Sequence, residues 1–326
     1  MNSLYPFKFH PIFKDKLWGG DKIKTVLGLD FGKLPNCGEA WVISGYQDNV
    51  SIVQNGFLEG NDLNELVSIY MGDLVGDSVY EEYGEVFPLL LKFIDASDWL
   101  SIQVHPDDEI AQERKMPNGK TEMWYILQAD EKAQLISGFN EKIDKDIYLK
   151  YLEENKLPEI LNYENVKAGD VFFIPAGRVH ATGPGILLAE IQQSSDATYR
   201  IYDWDRIDSV GIKRELHTDL ALDAIDYAVP IHYKTQYATS KNRTATLVKS
   251  PYFTTNILEF DQPVTKNLEE IDSFVIYMCV EGYGKIAWSE GDVEIKTGEA
   301  VLVPNVIDEI LLDPSGTAKL LEVYIP

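Results

Sequence analysis

The sequence predicts a mainly β protein with two domains. Its 326 residues are enough for two domains that each bury a core of their own. Glycine, tyrosine and phenylalanine are plentiful, and β-branched residues cluster in short runs, as strands favour. From about residue 237 onwards these runs recur at close, regular intervals, which is typical of a sandwich or a barrel. The predicted strands there are residues 244–248, 253–260, 274–281, 284–288, 293–296, 300–303 and 320–324.

The first and longer part of the chain, residues 1–236, combines short strands with helical segments. Apolar side chains at positions 63, 66, 67 and 70 have the spacing of an amphipathic helix, and Asn61 or Asp62 is suited to cap it. We expect residues 128–170 to carry an insertion with a helix. The predicted helical segments are about 61–71, 106–115, 144–156 and 215–226.

A weak internal repeat links the two parts of the chain. Residues 298–304 match residues 169–175 in the spacing Gly-x5-Pro. The second copy has Glu309 where the first copy leads to His180. We therefore interpret residues 237–326 as a second β domain of the same architecture that has lost a metal site. Chance similarity between two strand-turn segments is the alternative.

Residues 169–180 form the segment around which the first part is organised. The apolar run from residue 171 to 174 stops at Pro175, which cannot donate to a sheet, and Gly177 supplies the positive φ of a tight turn. This pattern predicts a buried strand, a turn and a second strand that begins at His180. His180 would then face the interior of a barrel. An incidental histidine on a hairpin is the alternative for this motif alone.

Two upstream motifs favour a metal site. In Leu-Ser-Ile-Gln-Val-His-Pro, the alternation of a strand puts Ser101, Gln103 and His105 on one face, opposite three apolar side chains. In Gly-Lys-Thr-Glu, Lys120 and Glu122 share a face at the start of another strand. One amide, one carboxylate and two imidazoles that meet at one point suit Zn²⁺ first and Fe(II) second. The candidate ligands are Gln103, His105, Glu122 and His180.

The charge and the composition restrict the partners. A formal charge of −24 argues against nucleic acid and anionic membranes, because both would be repelled. An anionic ligand would need a local basic island in this acidic chain. Cys37 and Cys279 are expected to be reduced, buried thiols. The first twenty residues do not resemble a secretory signal and the longest apolar run is too short for a bilayer, so we expect a cytoplasmic protein.

Three charged side chains stand among strand-forming residues and allow more than one interpretation. Lys92 interrupts an apolar run, and such a lysine is more often at a sheet edge, or extends to the surface, than catalytic. Glu190 lies inside another apolar run. Arg200 is either a surface guanidinium or a group that projects into a cavity.

The spacing Gly-x5-Pro-x-Gly-x2-His of residues 169–180 resembles the second metal-binding motif of the cupins, small jelly-roll proteins made of two sheets. Together with Gln-Val-His-Pro, Lys-Thr-Glu and the Ser-Asp-x-x-x-Arg segment that ends at Arg200, the chain resembles the type I mannose-6-phosphate isomerase family in its short bacterial form. The resemblance is densest over residues 92–206. It implies two cupin-like jelly-roll domains, of the double-stranded β-helix type, with short helical insertions.

The resemblance also implies roles for individual residues. The family's single zinc ion would be held by Gln103, His105, Glu122 and His180. Arg200 would face the sugar across the metal, and Lys92 and Glu190 match polar positions of the active site. Ser101 and Lys120 match positions associated with the phosphate of the substrate.

The implied activity is the reversible interconversion of mannose 6-phosphate and fructose 6-phosphate through a cis-enediol(ate), by an enzyme favoured to be a monomer. Many relatives have a histidine with a ring-opening role where this chain has Gly119, so another group or water on the metal would take that role. Glu190, Lys92 and hydroxide on the metal are all possible bases, and a hydride shift would need none. A cupin Fe(II) oxygenase and a non-catalytic sugar-binding cupin are the alternatives.

Overall fold

A computed structural model describes residues 3–207 and 211–326 of the chain. Over these two ranges the strands form four antiparallel sheets, two in each half of the chain. The predicted fold class, mainly β with short helical insertions, is confirmed. Across the same ranges, none of the helices has the length and apolar character needed to span a membrane.

The first half consists of two sheets that face each other. Its strands are β1 (Ile12–Lys14), β2 (Glu39–Tyr46), β3 (Asn49–Val50), β4 (Leu89–Ala96), β5 (Ile102–Val104), β6 (Glu122–Ala129), β7 (Gln134–Phe139), β8 (Leu161–Asn165), β9 (Val171–Ile174), β10 (His180–Thr182), β11 (Ile186–Gln193) and β12 (Tyr199–Tyr202). The first sheet has the order β1-β2-β4-β11-β6-β9, with β3 beside β2. The second sheet has the order β12-β5-β10-β7-β8.

The helical insertion expected within residues 128–170 is present, because a helix over Lys145–Glu153 lies between two strands of this range. Strands β7 and β8 lie in this range and complete the second sheet, and β7 pairs with β10, the strand that begins at His180. A bulge interrupts β7 between Ile136 and Phe139, and Gly138 within it has a φ of 68°. Because a bulge breaks the two-residue alternation, the pattern in the sequence does not indicate this strand.

Short helices cover the first half. They are α1 (Lys22–Thr25), α2 (Leu63–Val75), α3 (Asp77–Tyr83), α4 (Asp108–Glu113), α5 (Lys145–Glu153), a 3₁₀ helix (Leu157–Ile160) and α6 (Thr218–Ala224). The side chains of Asp62, Asp107 and Asp144 each accept a backbone N–H three residues on, which caps α2, α4 and α5. Helix α2 is broken at Met71, where φ is 47°. Tyr148 on α5 and Ala221 on α6 pack with the outer face of the second sheet.

The second half repeats this arrangement of two sheets. Its strands are β13 (Arg243–Lys249), β14 (Thr254–Phe260), β15 (Val264–Asn267), β16 (Val275–Glu281), β17 (Tyr283–Trp288), β18 (Gly291–Lys296), β19 (Ala300–Val303), β20 (Glu309–Pro314) and β21 (Ala318–Tyr324). The sheet orders are β13-β14-β21-β16-β19 and β15-β20-β17-β18. The boundary between residues 236 and 237 stays a prediction, and the range 1–236 includes residues 1–2 and 208–210, which lie outside the described residues.

Strands β4, β6 and β11 separate two environments because their side chains alternate between the faces of the first sheet. On the outer face, Phe93 and Ile191 join Ile276 and Val323 of the second half in one continuous apolar core. The inner face looks into the space between the two sheets of the first half. The second half therefore covers the outer face of the sheet whose inner face is available for chemistry.

We expect Phe274 to contribute strongly to the packing between the halves. It is fully buried, and its ring centroid lies 4.5 Å from that of Phe87. Phe274→Ala should lower the free energy of unfolding by about 3 to 5 kcal/mol, because a large buried ring leaves a cavity. Urea unfolding followed by tryptophan fluorescence measures this change. Ile231→Ala is the control, since Ile231 is 93% exposed, and equal effects of the two substitutions would contradict the assignment.

Candidate functional site

Three strands bring the candidate metal ligands to one end of the space between the sheets. Gln103 on β5 pairs directly with His180 on β10 in the second sheet, and His105 follows the end of β5. Glu122 is the first residue of β6 in the first sheet. The turn after β9, with Gly177 at a φ of 86°, returns the chain so that His180 points at Glu122.

Two imidazoles converge on the carboxylate of Glu122. His105 Nε2 lies 3.4 Å from Glu122 Oε2, and His180 Nε2 lies 3.3 Å from Glu122 Oε1. All three side chains are buried, and one ligand atom from each lies within 4.8 Å of the others. Among the described residues, no second group of three or more His, Cys, Asp or Glu side chains is arranged to hold a metal ion.

The backbone orients both imidazoles for ligation. His105 Nδ1 lies 2.7 Å from the carbonyl oxygen of Ala197, and His180 Nδ1 lies 2.8 Å from that of Arg178. Donation from each Nδ1–H leaves a lone pair on Nε2, which faces the group. Burial lowers the pKa of His105 to about 3 and also lowers the pKa of His180, so both rings are neutral at pH 7.

The remaining donors fit a metal ion. Glu122 Oε1 is buried and accepts no hydrogen bond from the described residues, so it has a free lone pair beside His180 Nε2. The side-chain nitrogen of Gln103 lies 3.2 Å from His180 Nε2, and a rotation of the amide would turn its oxygen to the same place. Two neutral imidazoles, a carboxylate and an amide oxygen match a divalent cation of the zinc type.

Lys120 also belongs to this group. Its ammonium lies 2.8 Å from Glu122 Oε2 and 3.1 Å from His105 Nε2, and the side chain is buried. Burial alone would raise the pKa of Glu122, but Lys120 and the two imidazoles hold it well below its usual range. Glu122 is therefore ionised. The expected contact of Lys120 with a substrate stays a prediction.

Lys92 and Glu190 form a buried ion pair on the inner face of the first sheet. They pair directly between β4 and β11, and Lys92 Nζ lies 3.0 Å from Glu190 Oε2. Glu190 Oε1 accepts the indole N–H of Trp124 at 2.9 Å. The alternative that Lys92 lies at an edge or extends to the surface is wrong, because β4 is interior to the sheet and Lys92 is 3% exposed.

Glu39, which the sequence analysis does not single out, extends this ion pair. Its carboxylate lies 3.0 Å from Lys16 Nζ and 4.0 Å from Lys92 Nζ, and it accepts the indole N–H of Trp41 at 2.7 Å. Burial alone would raise the pKa of Glu39, but the two ammonium groups and the indole lower it to about 2. Its position at the start of β2, after Gly38, gave no periodic signal.

Arg200 lies on β12 beside Gln103 and is half-buried. Its Nη1 donates to the carbonyl oxygen of Glu215 at 2.8 Å. It lines a cavity of about 270 Å³ that opens onto the metal group, so the alternative of a purely surface guanidinium does not describe its position. The cavity is also lined by Lys16, Trp18, Glu39, Lys92, Ile94, Leu100, Ser101, Gln103, Lys120, Trp124, Thr182, Glu190, Asp196, Thr198 and Arg214.

The structure thus brings all nine site residues of the sequence analysis to one cavity or to its metal end. Those that sequence reasoning missed are Lys16, Glu39 and Arg214, which come from segments without a motif. Gly119 accepts no larger side chain without movement, since a Cβ there would lie 2.6 Å from the backbone of Asp107. A histidine therefore does not fit at this position.

Two facing sheets, the Gly-x5-Pro-x-Gly-x2-His element and the buried His–Glu–His group define a cupin-type protein with a candidate metal centre. Comparison with known proteins agrees. The family model described as phosphomannose isomerase type I, catalytic domain, matches residues 6–160. The model described as mannose-6-phosphate isomerase, cupin domain, matches residues 243–325, so the cupin expectation for the second half is confirmed.

Relatives cover nearly the whole chain. A mannose-6-phosphate isomerase of Streptococcus mutans is 36% identical over 90% of each chain. ManA, the mannose-6-phosphate isomerase of Bacillus subtilis, is 35% identical over 94% of this chain and 96% of its own. A crystal structure of the mannose 6-phosphate isomerase from Bacillus subtilis has a TM-score of 0.87 and 32% identity over 98% of this chain and 99% of that one. The chain belongs to the type I phosphomannose isomerase family, as its motifs predict.

We expect Glu39 to make the stability depend on pH. Its pKa is about 2 in the folded chain and about 4.5 when unfolded, so it contributes about 3 kcal/mol above pH 4.5 that is lost as the pH falls towards 2. Glu39→Gln should be less stable than wild type at pH 7, and the difference should narrow between pH 5 and pH 3. Urea unfolding in the presence of a chelator measures it. Glu290→Gln, at an exposed carboxylate, is the control, and a Glu39→Gln difference independent of pH would contradict the prediction.

Proposed function

We propose that this protein interconverts mannose 6-phosphate and fructose 6-phosphate reversibly and that it uses one zinc ion per chain. The observation that carries the proposal is a buried donor set of two imidazoles and a carboxylate at the end of a polar cavity of about 270 Å³. The names of relatives that align over nine-tenths of the chain support the substrate. A cytoplasmic location and a monomeric state stay predictions from the sequence.

The proposed zinc ligands are Gln103, His105, Glu122 and His180. A bound zinc ion would act as a Lewis acid towards the oxygens at C1 and C2 of the sugar, where negative charge develops in the enediolate. Ser101 Oγ lies 3.4 Å from Gln103 Oε1, and Lys120 contacts Glu122. We place Ser101 and Lys120 at this end of the cavity, where they would bind oxygens of the substrate.

We propose Glu190 as the group that moves a proton between C1 and C2. Burial raises the pKa of Glu190, although Lys92 opposes this shift. The raised pKa brings the carboxylate closer to the range of a useful base. Lys92, 3.0 Å away, would hold Glu190 in position and offer a proton to a sugar oxygen. Trp124 holds Glu190 Oε1, so Oε2, which lies beside Lys92, is the oxygen that would face the substrate.

Arg200 would stabilise the negative charge of the enediolate from the side opposite the metal group. It is half-buried, lines the cavity and has no carboxylate within 4.0 Å among the described residues, so its charge is available to a ligand. A guanidinium that is fixed in place before the reaction needs no reorganisation as the charge develops.

The direct test is to incubate the purified protein with fructose 6-phosphate and to detect mannose 6-phosphate. We expect conversion that a chelator abolishes and that added zinc restores. Elemental analysis of the same sample should find one zinc per chain. Consumption of oxygen without isomerisation, or sugar binding without turnover, would overturn the proposal.

Replacement of a histidine ligand should remove the metal. His180→Ala should lose most bound zinc, because the remaining donors hold the ion poorly, and His105→Ala should behave in the same way. Elemental analysis of the purified variants measures the loss. His10→Ala is the control, since His10 is exposed and far from the group in sequence. One zinc per chain in His180→Ala would show that the ligand assignment is wrong.

Replacement of Arg200 should affect turnover rather than binding. Arg200→Lys keeps the charge but loses the planar fork, and the loss of one preorganised donor typically lowers kcat by about 10² to 10³. KM should change little if the interaction belongs to the transition state. Steady-state kinetics with zinc content checked in parallel decide this, with Arg243→Lys on the exposed part of β13 as the control. An Arg200→Lys enzyme within about twofold of wild type would exclude the role.

A further inference from the structure

One buried hydroxyl of the cavity wall has no partner within the protein. Among the described residues, the buried hydroxyl side chains that line the cavity are those of Ser101 and Thr182. Ser101 Oγ lies 3.4 Å from Gln103 Oε1. Thr182 is 1% exposed, and its Oγ1 has no hydrogen-bond partner in the described part of the chain. A buried hydroxyl in this state lowers the stability of the fold, because it has lost its hydrogen bonds to water.

The backbone of Thr182 is held from both sides. Thr182 pairs with Leu135 of β7, and its carbonyl oxygen accepts the N–H of Leu100 at 2.8 Å. Thr182 stands two residues beyond His180 on β10, so the alternation of a strand puts both side chains on the inner face, about 7 Å apart. The side chain of Thr182 therefore has a fixed position one step along the cavity from the metal group.

Apolar side chains surround this position. Leu100 and Leu135, the two backbone neighbours of Thr182, belong to a buried apolar cluster that also contains Ile94. Ile94 and Leu100 line the same cavity as Thr182. A hydroxyl in such surroundings distinguishes ligands sharply, because a ligand that bonds it supplies a partner that the protein does not supply.

We propose that Thr182 binds a secondary hydroxyl of the sugar, at C3 or C4, and thereby selects substrates that carry this hydroxyl. The inference rests on the proposed function, because the oxygens at C1 and C2 would lie at the metal group and the next hydroxyls of the sugar would follow along β10. A threonine hydroxyl can both donate to and accept from such a group. Thr182 is then a specificity-determining residue for a part of the substrate that does not react.

Isomerase kinetics with deoxy analogues test the proposal. Thr182→Val replaces the hydroxyl by a methyl group of similar size and should lower kcat/KM for fructose 6-phosphate by about 5- to 30-fold, as expected for the loss of one hydrogen bond to a substrate hydroxyl. The 3-deoxy and the 4-deoxy analogue of fructose 6-phosphate identify the hydroxyl concerned. For the analogue that lacks it, kcat/KM of Thr182→Val should lie within twofold of the wild-type value, because the contact is absent in both.

Thr182→Ser keeps the hydroxyl and should retain most of the discrimination between fructose 6-phosphate and that analogue. Two results would overturn the proposal. One is a kcat/KM of Thr182→Val for fructose 6-phosphate within about twofold of wild type. The other is a loss of the same factor for fructose 6-phosphate and for both deoxy analogues, since that pattern indicates a structural role of Thr182.

Thr255→Val is the matched control. Thr255 lies on β14 in the second half, is fully buried, and its Oγ1 also has no hydrogen-bond partner among the described residues. Both valine variants should melt at or above the wild-type temperature, because each removes an unpaired buried hydroxyl, but only Thr182→Val should change the kinetics. A lower melting temperature of Thr182→Val alone, up to failure to fold, would show that its hydroxyl is bonded within the protein and would overturn the proposal.

Calorimetry on the zinc-loaded protein separates this inference from the proposed function. If wild type binds fructose 6-phosphate more tightly than one deoxy analogue and Thr182→Val does not, the contact is supported even where no isomerisation is detected. If Thr182→Val discriminates as wild type does, the inference is wrong even where the wild type is a fully active isomerase. Absence of both binding and turnover would contradict the proposed function, and this inference with it.

Discussion

The burial of ionised side chains inside the first barrel is the constraint on which the site depends. A carboxylate removed from water is costly unless it is paired, and Glu122 is fully buried among two imidazoles and the ammonium of Lys120. Lys92 and the indole of Trp124 offset the same desolvation cost for Glu190. Most of these partners reach the carboxylates from other segments of the chain, whereas Lys120 lies two residues from Glu122. Loss of an ammonium partner would leave an unpaired charge in the interior. The fold and the site are therefore stabilised by the same contacts, and a metal ion would add positive charge where Glu122 carries a free lone pair.

The two faces of the first sheet explain how charged residues stand inside apolar runs. Lys92 points inwards while its neighbours Leu91 and Phe93 point outwards into the core shared with the second half. Because the second half covers the outer face, both faces of β4 are buried and the sequence of this strand is almost wholly apolar. A slip of one residue in the pairing of β4 with β11 would move Lys92 into that apolar core, so the buried ion pair with Glu190 also fixes the register.

The parts of the site that follow local periodicity could be predicted from the sequence. Gln103 and His180 stand in short strands next to a proline or a turn glycine, and their direction follows from the alternation of side chains. Glu39 and Arg214 could not be predicted, because each reaches the cavity only through tertiary packing and neither lies in a motif. Strands β15 and β20 were missed for a related reason. Every second side chain of these strands is exposed or nearly so, and several side chains are charged. The two strands therefore lack the apolar run that indicates a strand.

The second half of the chain repeats the sheet order of the first half and one of its buried carboxylates, but not its imidazoles. Its first sheet has the order β13-β14-β21-β16-β19, which corresponds to β2-β4-β11-β6-β9, and Glu322 occupies the position of Glu190. Tyr277 donates to Glu322 at 2.9 Å, as Trp124 does to Glu190. Lys266 of β15 reaches in from the other sheet to pair with Glu322 at 2.6 Å. A buried carboxylate with an aromatic donor and an ammonium partner is therefore a feature of this sheet arrangement, whereas the imidazoles come from the second sheet of the first half. The difference between the two barrels lies in that second sheet, where strands β5 and β10 supply Gln103 and His180.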